Sequence, residues 1–425
     1  MNLRAVKGMN DILPDEIGRW HRLENALRAM AALHRYQEVR TPVVEPTALF
    51  VRSIGEITDI VEKEMYSFER HDEKLTLRPE ATAGAVRAYL EHGVHAREPI
   101  TRWYYLGPMF RAERPQKGRY RQFYQAGCEV IGEPGPLIDA EMIDMLVALM
   151  SQLGITGVTA HINALGGPET RARYREALLG HFGPLQAELG EDSRRRLATN
   201  PLRILDSKDP RDQQALGSAP SILDALGDDD RAHFDGLRRY LDRLGTPYTV
   251  APRLVRGFDY YTGTLFELVS DAGDLGAQNA LVGGGRYDHL VSDLGGPDVP
   301  AIGFALGLER VLLAMPDEGA GKEPCIVIAP VGAEGAQEAL LVARELRSRS
   351  VPVEVDGRMT SLKGMLRRAN AVGASHCIIV GEAELSRGVL QVKDLLGHAQ
   401  EDLPRADAAR ILADRMRAAR PAGGA

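Results

Sequence analysis

The segment at 109–132, MFRAERPQKGRYRQFYQAGCEVIG, constrains the fold of this chain more than any other stretch. It reads as two short strands joined by a basic, glycine-containing loop. Arg111 and Glu113 are expected to close the first strand, and Arg114, Lys117, Arg119 and Arg121 crowd the loop. Strand side chains alternate with period two, so Phe123, Gln125, Gly127 and Glu129 share one face of the second strand. One surface then carries an aromatic ring, an amide, a gap and a carboxylate beside a cluster of cations. That combination suits a ligand with a flat ring, a charged amine and phosphates.

The surrounding chain extends this pattern. Residues 15–35 place Ile17, Trp20, Leu23, Leu27 and Met30 at helical spacing, with Asp15 as the expected N-cap. In TPVVEPTALF, Pro42 and Pro46 confine any strand to an edge. An edge strand beside a long amphipathic helix suits either a subunit contact or a helix packed on its own core. KLTL is a strand, RPEATAGAVRAYLEHG a helix ended by Gly93, and Glu80 and Thr82 fall at the turn between them. A helix is expected at 139–153 and a strand at 158–165; from about 168 to 245 the chain is helical and polar, and β character then returns.

The tail from about 323 alternates strand and helix. PCIVIAPV is a short continuous apolar run, the mark of a strand buried on both faces. Such alternation predicts a small α/β domain with mainly parallel strands. The expected organisation is a mainly antiparallel α+β core at 1–165 and 246–320, a helical insertion at 166–245, a linker at 317–324 and an α/β domain at 323–425.

With 425 residues the chain is too long for one typical domain, and its net charge of −7 argues against a general polyanion binder. Cys128, Cys325 and Cys377 lie too far apart in sequence for a CxxC zinc pair or a disulfide framework. There is no apolar leader and no run long enough to span a membrane, so a cytoplasmic protein is expected. Familiar catalytic signatures are missing as well: no GxxxxGK[ST] loop, no HExxH and no GxSxG. If phosphates bind, arginines must hold them, a task suited to the planar, permanently charged guanidinium.

Several residues admit two readings. Arg111, within the apolar context YYLGPMFRAE, is a ligand-binding cation or a solvated one. Phe123 is a core aromatic or a platform for a base. Glu129 belongs to a structural ion pair or meets a cationic ligand group. In RGFDYYTG, Tyr260 and Tyr261 point to opposite faces if the segment is extended, so one of them at most would face a pocket. GGGRYD brings a backbone close to a ligand or makes a tight hairpin turn, and Arg310 in GFALGLER meets a phosphate chain or solvent.

Together KGMNDILP, LRPEATA, the 109–132 hairpin, LVRGFDYYTGTLFE, GGGRYD and GFALGLER resemble, in order, the segments of histidyl-tRNA synthetases, which are class II aminoacyl-tRNA synthetases. The resemblance implies a class II antiparallel sheet core with flanking helices and a C-terminal α/β anticodon-binding domain. It implies a homodimer with the TPVVEP region at its interface. It also implies ATP, L-histidine and tRNA(His) as substrates and Mg²⁺ bridging the phosphates, with no Mg²⁺ ligands identified.

Roles follow from the same resemblance. Arg111 and Arg256 would act at the reacting carboxylate and α-phosphate. Glu113 and Phe123 would lie on the ATP side, Phe123 stacking on adenine, and Arg310 would hold the γ-phosphate. Glu80, Ala81, Thr82 and Gln125 would surround the α-ammonium of histidine, while Glu129 and Tyr261 would read its imidazole, with Tyr260 beside them. The competing expectation is a non-catalytic relative that serves as a regulatory subunit of ATP phosphoribosyltransferase; such a relative should lack the motif arginines and the anticodon domain. From Cys325 onward the chain carries 14 Lys+Arg against 12 Asp+Glu. Lys363, Arg367 and Arg368 fall together on one expected helix, as a tRNA contact or a solvated face.

Overall fold

The computed structural model describes residues 3–55, 58, 60–272, 275, 279–317 and 324–418, so the expected linker at 317–324 lies almost wholly outside the described residues. Two compact units emerge, Met1–Glu318 and Gly319–Ala425.

The first unit opens with α1 (Ile17–Leu33), β1 (Gln37–Glu38), β2 (Val44–Pro46), α2 (Thr47–Ile54), β3 (Tyr66–Arg70), β4 (Glu73–Leu77) and α3 (Thr82–Glu91). A long hairpin of β5 (Thr101–Phe110) and β6 (Gln122–Ile131) follows, then α4 (Pro136–Gln152) and β7 (Val158–Ala164). The helical stretch supplies α5 (Pro168–Phe182), α6 (Glu191–Thr199), α7 (Asp212–Gly217) and α8 (Asp228–Leu244). The unit closes with β8 (Tyr248–Val250), β9 (Thr264–Ser270), β10 (Ala280–Arg286), α9 (Leu290–Asp293), β11 (Ala301–Gly307) and α10 (Leu308–Ala314).

Eight of these strands form one sheet in the order β1-β5-β6-β11-β10-β9-β7-β8. Its two edge pairs are parallel and all five inner pairs are antiparallel, the α+β core that the sequence predicts. A separate three-stranded sheet, β2-β4-β3, has β2 with its Pro46 at an edge, where a missing N–H does least harm.

Alternation decides what each face of the large sheet carries. Ala126, Cys128 and Val130 of β6 join Ile302, Phe304 and Leu306 of β11 and Phe266 and Leu268 of β9 in one core. Trp20, Leu23 and Leu27 of α1 and Ile143 and Leu146 of α4 cover that face. The intervening residues of β6 therefore face the other way. The helical stretch is packed onto the unit that it interrupts: Phe234, Leu237 and Leu241 of α8 belong to the α4 core. Tyr174, Leu178 and Phe182 of α5 pack with Tyr89, Ile131 and Tyr287 on the opposite side.

Two local expectations need correction. Asp15 does not cap α1: Glu16 holds the cap position, and a backbone turn in which Leu13 O accepts from Glu16 N–H and Ile17 N–H serves the helix start instead. The first strand of the long hairpin ends at Phe110, before Arg111 and Glu113. Beyond it Arg111 N–H still donates to Arg121 O, but Ala112 N–H turns to Glu64 O, so the ladder has ended.

The second unit contains β12 (Ile326–Pro330), α11 (Gly332–Arg347), β13 (Val353–Val355), α12 (Leu362–Ala371), β14 (His376–Val380), α13 (Glu382–Ser386), β15 (Val389–Asp394), β16 (Gln400–Pro404) and α14 (Arg405–Ala418). β12 is buried on both faces, with Ile326 and Ile328 packed against α11 and α14 and Val327 and Ala329 against α12. The sheet is mixed rather than mainly parallel: β13, β12 and β14 are parallel, and β15 and β16 add on antiparallel. The connections explain this. A parallel crossover takes a dozen or more residues, and those after β14 and β15 are shorter. Among the described residues no helix is long and apolar enough to cross a membrane.

Candidate active site

On the sheet face away from α1 and α4 lies an open cleft of about 980 Å³, lined from β6, β9, β10, β11, the β4–α3 turn and the 256–261 loop. Its floor is made by missing side chains. The register sets Gly127 of β6 beside Ala305 of β11, which lies beside Gly283 of β10. In the next row Glu129 is paired with Gly303, and Gly303 with Gly285. The space these glycines leave is taken by side chains of the site itself: Tyr105 at Gly127, Arg256 at Gly283, Tyr261 at Gly285 and Glu129 at Gly303.

Glu80, Thr82, Arg111, Glu113, Phe123, Gln125, Arg256, Tyr260, Tyr261 and Arg310 all line this cleft. Ala81 and Glu129 do not. Ala81 is buried against Tyr105 and Met109. Glu129 sits behind a wall formed by Thr82, Tyr287 and Gly303. RGFDYYTG is not a strand. It turns, with the Phe258 and Tyr260 rings stacked 5.1 Å apart, so both Tyr260 and Tyr261 reach the cleft. GGGRYD is no hairpin turn either; its glycines lie in the inner strand β10.

The cations are held from several directions. Arg111 Nε donates to Pro79 O at 2.9 Å, and its guanidinium lies over the Phe123 ring at 5.2 Å and the Phe258 ring at 5.6 Å. One face of Phe123 is thus taken by Arg111. Arg256 Nη1 donates to Glu267 Oε1 at 2.8 Å, and the guanidinium crosses Gly283, where a Cβ would come within 1.6 Å of Nη2. Burial works against the charge of Arg256, but Tyr261 and Glu267 outweigh it and raise its pKa. Arg310 reaches out from α10 to the Gly118 carbonyl of the hairpin loop and the Ala280 carbonyl of β10. Burial, with Arg119 nearby, lowers the pKa of Arg310.

The carboxylates divide by partner. Glu80 accepts from Thr82 N–H at 2.5 Å and Ala83 N–H at 2.9 Å, satisfying two free donors at the start of α3. Burial still raises its pKa. Glu129 accepts from Thr82 Oγ1 at 2.8 Å, Tyr105 OH at 3.0 Å and Tyr287 OH. Burial pushes its pKa up to about 8 despite these bonds. Glu309, on the first turn of α10, accepts from Tyr124 N–H at 2.9 Å, and burial pushes its pKa up to about 7.

Polar atoms without hydrogen bonds concentrate here. Among the described residues eight buried side-chain N or O atoms have none, and four of them belong to Glu113, Arg119, Gln125 and Arg256 of this cleft. Buried polar groups are normally satisfied, so such a cluster marks a place that a ligand completes. The sequence reading passed over Tyr287, Tyr105, Glu267, Phe258 and Glu309. Glu267 carried the signal that had picked out Glu129, a carboxylate alternating with the apolar residues of a strand.

The family models agree with this geometry. The histidyl-tRNA synthetase model matches residues 8–166 and 187–311, and the anticodon-binding-domain model matches 325–415. A histidine–tRNA ligase of Sorangium cellulosum is 62% identical over 423 residues, covering 100% of this chain and 99% of its own. The crystal structure of apo histidyl-tRNA synthetase from S. aureus superposes with a TM-score of 0.82 at 34% identity, covering 97% of this chain and 100% of that one. A Bacillus halodurans structure described as an ATP phosphoribosyltransferase regulatory subunit/histidyl-tRNA synthetase shares the fold, with a TM-score of 0.64 at 22% identity over 87% of this chain and 97% of that one. An arginine-rich cleft on an antiparallel sheet, matched across both units by models and by relatives of full length, makes this chain a member of the histidyl-tRNA synthetase family.

Proposed function

We propose that the protein is a working histidine–tRNA ligase. It joins L-histidine to ATP as histidyl-adenylate and then passes histidine to the 3′ end of tRNA(His). The observation that carries this reading is the meeting of Arg111, Arg256 and Arg310 with Glu80, Thr82 and Gln125 around one cleft.

In the first step the histidine carboxylate attacks the α-phosphorus and pyrophosphate leaves. Arg111 and Arg256 stand at the carboxylate and α-phosphate and oppose the negative charge that grows there, while Arg310 holds the γ-phosphate. Phe123 offers its remaining face to adenine, and Glu113 lies at the same end. Glu80, Thr82 and the unpaired Gln125 Oε1 receive the α-ammonium beside the buried Ala81. Glu129, Tyr260 and Tyr261 take the imidazole. In the second step a hydroxyl of the terminal tRNA adenosine attacks the carbonyl carbon, and AMP leaves.

Mg²⁺, arriving with ATP, would neutralise phosphate charge. Among the described residues no three His, Cys, Asp or Glu side chains form a metal cluster. Such an ion would take phosphate and water oxygens with one or two carboxylates at most. Glu113, whose Oε2 lies 3.1 Å from Arg119 Nη1, and Glu267, which pairs with Arg256, are the carboxylates of the cleft that are ion-paired to its arginines. We also infer a homodimer with the segment around β2 at its interface; the place of β2 at a sheet edge supports it.

The regulatory-subunit alternative is disfavoured by the three arginines in the cleft and by the match to an anticodon-binding domain. The deciding measurement is exchange of labelled pyrophosphate into ATP. The expected result is exchange only when histidine is supplied. An absence of exchange, together with stimulation of an ATP phosphoribosyltransferase, would reverse the assignment.

A further inference from the structure

We infer that Tyr105 and Tyr287 are positioning residues for amino-acid recognition: their hydroxyls hold Glu129 at the closed end of the cleft, aimed past Gly303 at the side-chain ring of the substrate. The inference rests on the function proposed above and adds to it the groups that set the geometry and charge of Glu129.

The two carboxyl oxygens are treated differently. Oε1 takes both Thr82 Oγ1 and Tyr105 OH. Oε2 takes Tyr287 OH alone and lies where a Cβ on residue 303 would come within 1.7 Å. Glu129 fills that space because Gly303, its register partner in β11, leaves it empty. Gly303, Tyr287 and Thr82 all line the cleft, so Glu129 lies one residue behind it, with Oε2 next to Gly303 and Tyr287 and Oε1 next to Thr82.

Tyr287 is fixed from both sides. The guanidinium of Arg286 is 1% exposed and pairs with Asp139 at 2.8 Å, and Arg286 Nη2 also donates to the Glu133 and Gly135 carbonyls. On the other side the Asp288 carboxylate accepts from Thr262 Oγ1 and Ala301 N–H, while Tyr287 N–H donates to Ala301 O. A tyrosine anchored this firmly can aim a hydroxyl; packing alone would need only its ring. Tyr105, 4% exposed, likewise donates its hydroxyl to the same carboxyl group.

A neutral imidazole presents one N–H and one lone pair, and an ionised carboxylate is the stronger acceptor for that N–H. Burial and the facing Glu80 disfavour the ionised form, while the hydroxyls of Thr82, Tyr105 and Tyr287 favour it. Cys128 on the same strand and Tyr260 and Tyr261 of the 256–261 loop complete the titratable groups around it. Removing one hydroxyl therefore raises the pH at which Glu129 ionises and weakens histidine binding below that pH.

The test is Tyr287→Phe, assayed by pyrophosphate exchange from pH 6.5 to 9. The expected result is a KM for histidine raised about ten-fold at pH 7, with the ratio to the wild type narrowing toward pH 9. The KM for ATP and kcat should stay within about three-fold. The titration of histidine itself is common to both proteins and cancels in the ratio. In a Glu129→Gln background the same change should alter the histidine KM by less than about three-fold. Tyr105→Phe should act in the same direction and carries the test if Tyr287→Phe does not fold. A histidine KM ratio that is constant with pH, or an equal rise in the ATP KM, overturns the inference alone. A wild-type protein without histidine-dependent exchange overturns the proposed function and this inference with it.

Discussion

At the scale of single residues, the cleft depends as much on side chains that are absent as on those that act. Gly283 shows this directly: the three atoms nearest a Cβ placed there all belong to the Arg256 guanidinium, the closest at 1.6 Å. A methyl group at 283 therefore leaves the sheet unstrained and expels Arg256 from its place over the strand. Gly283→Ala should melt within a few degrees of the wild type yet lose about a hundred-fold or more of its pyrophosphate exchange, the usual scale for displacing one charge-stabilising group. Exchange at the wild-type rate would mean that the position of Arg256 over β10 is irrelevant to the chemistry. The triple glycine was visible in the sequence, but its reason was not. Whether GGG marks a turn or an inner strand depends on which side chain crosses it, and Arg256 lies 27 positions earlier in the chain. Glu129 shows a similar limit. Its strand and facing were legible, whereas the partners that decide its charge come from β5, the start of α3 and the residue after β10.

At the scale of elements, alternation and helical spacing located most of the fold: α1, β4 with α3, the β5–β6 hairpin, β7, the helical stretch and much of the second unit. Elements that rest on other signals were missed. β3 and β4 are joined by His71 and Asp72 alone, both in the left-handed region at φ 49° and 66°. That geometry belongs to a two-residue hairpin turn, which usually announces itself as Asn-Gly or Asp-Gly. His and Asp enter that region more readily than most side chains, yet at more cost than glycine, so the pair hides the hairpin and leaves some strain in it. β16 was missed for a different reason: four of its five residues are exposed, and it has no apolar pattern to read. Replacing the turn by Asn-Gly, through His71→Asn with Asp72→Gly, should relieve the strain and stabilise the protein by roughly 0.5–1 kcal/mol. Chemical denaturation would register this as a higher midpoint at unchanged slope. A lower midpoint would show that the two side chains contribute more through contacts than their backbone costs.

At the scale of the whole molecule, the proposed function gives chemistry and tRNA selection to different units. Every residue lining the cleft lies between Glu80 and Arg310. The cores that hold those residues draw only on the first unit, and two further cores serve the second alone. The anticodon-binding-domain model covers 325–415, a range with equal numbers of basic and acidic residues within a protein of net charge −7. Its basic residues are partly engaged internally: Arg368 pairs with Glu354, which removes one of the three cations that the sequence places together on α12. A fragment ending at residue 317 keeps all four described cores of the first unit intact, so it should fold and retain histidine-dependent pyrophosphate exchange within about ten-fold of the full chain. Transfer of histidine to tRNA(His) should fall much further, because the fragment lacks the segment matched by the anticodon-binding-domain model and the cations it carries. Measuring both reactions on one preparation separates the two jobs. If exchange falls as steeply as transfer, the second unit is also required for adenylate chemistry, and the division of labour drawn from the cores is wrong.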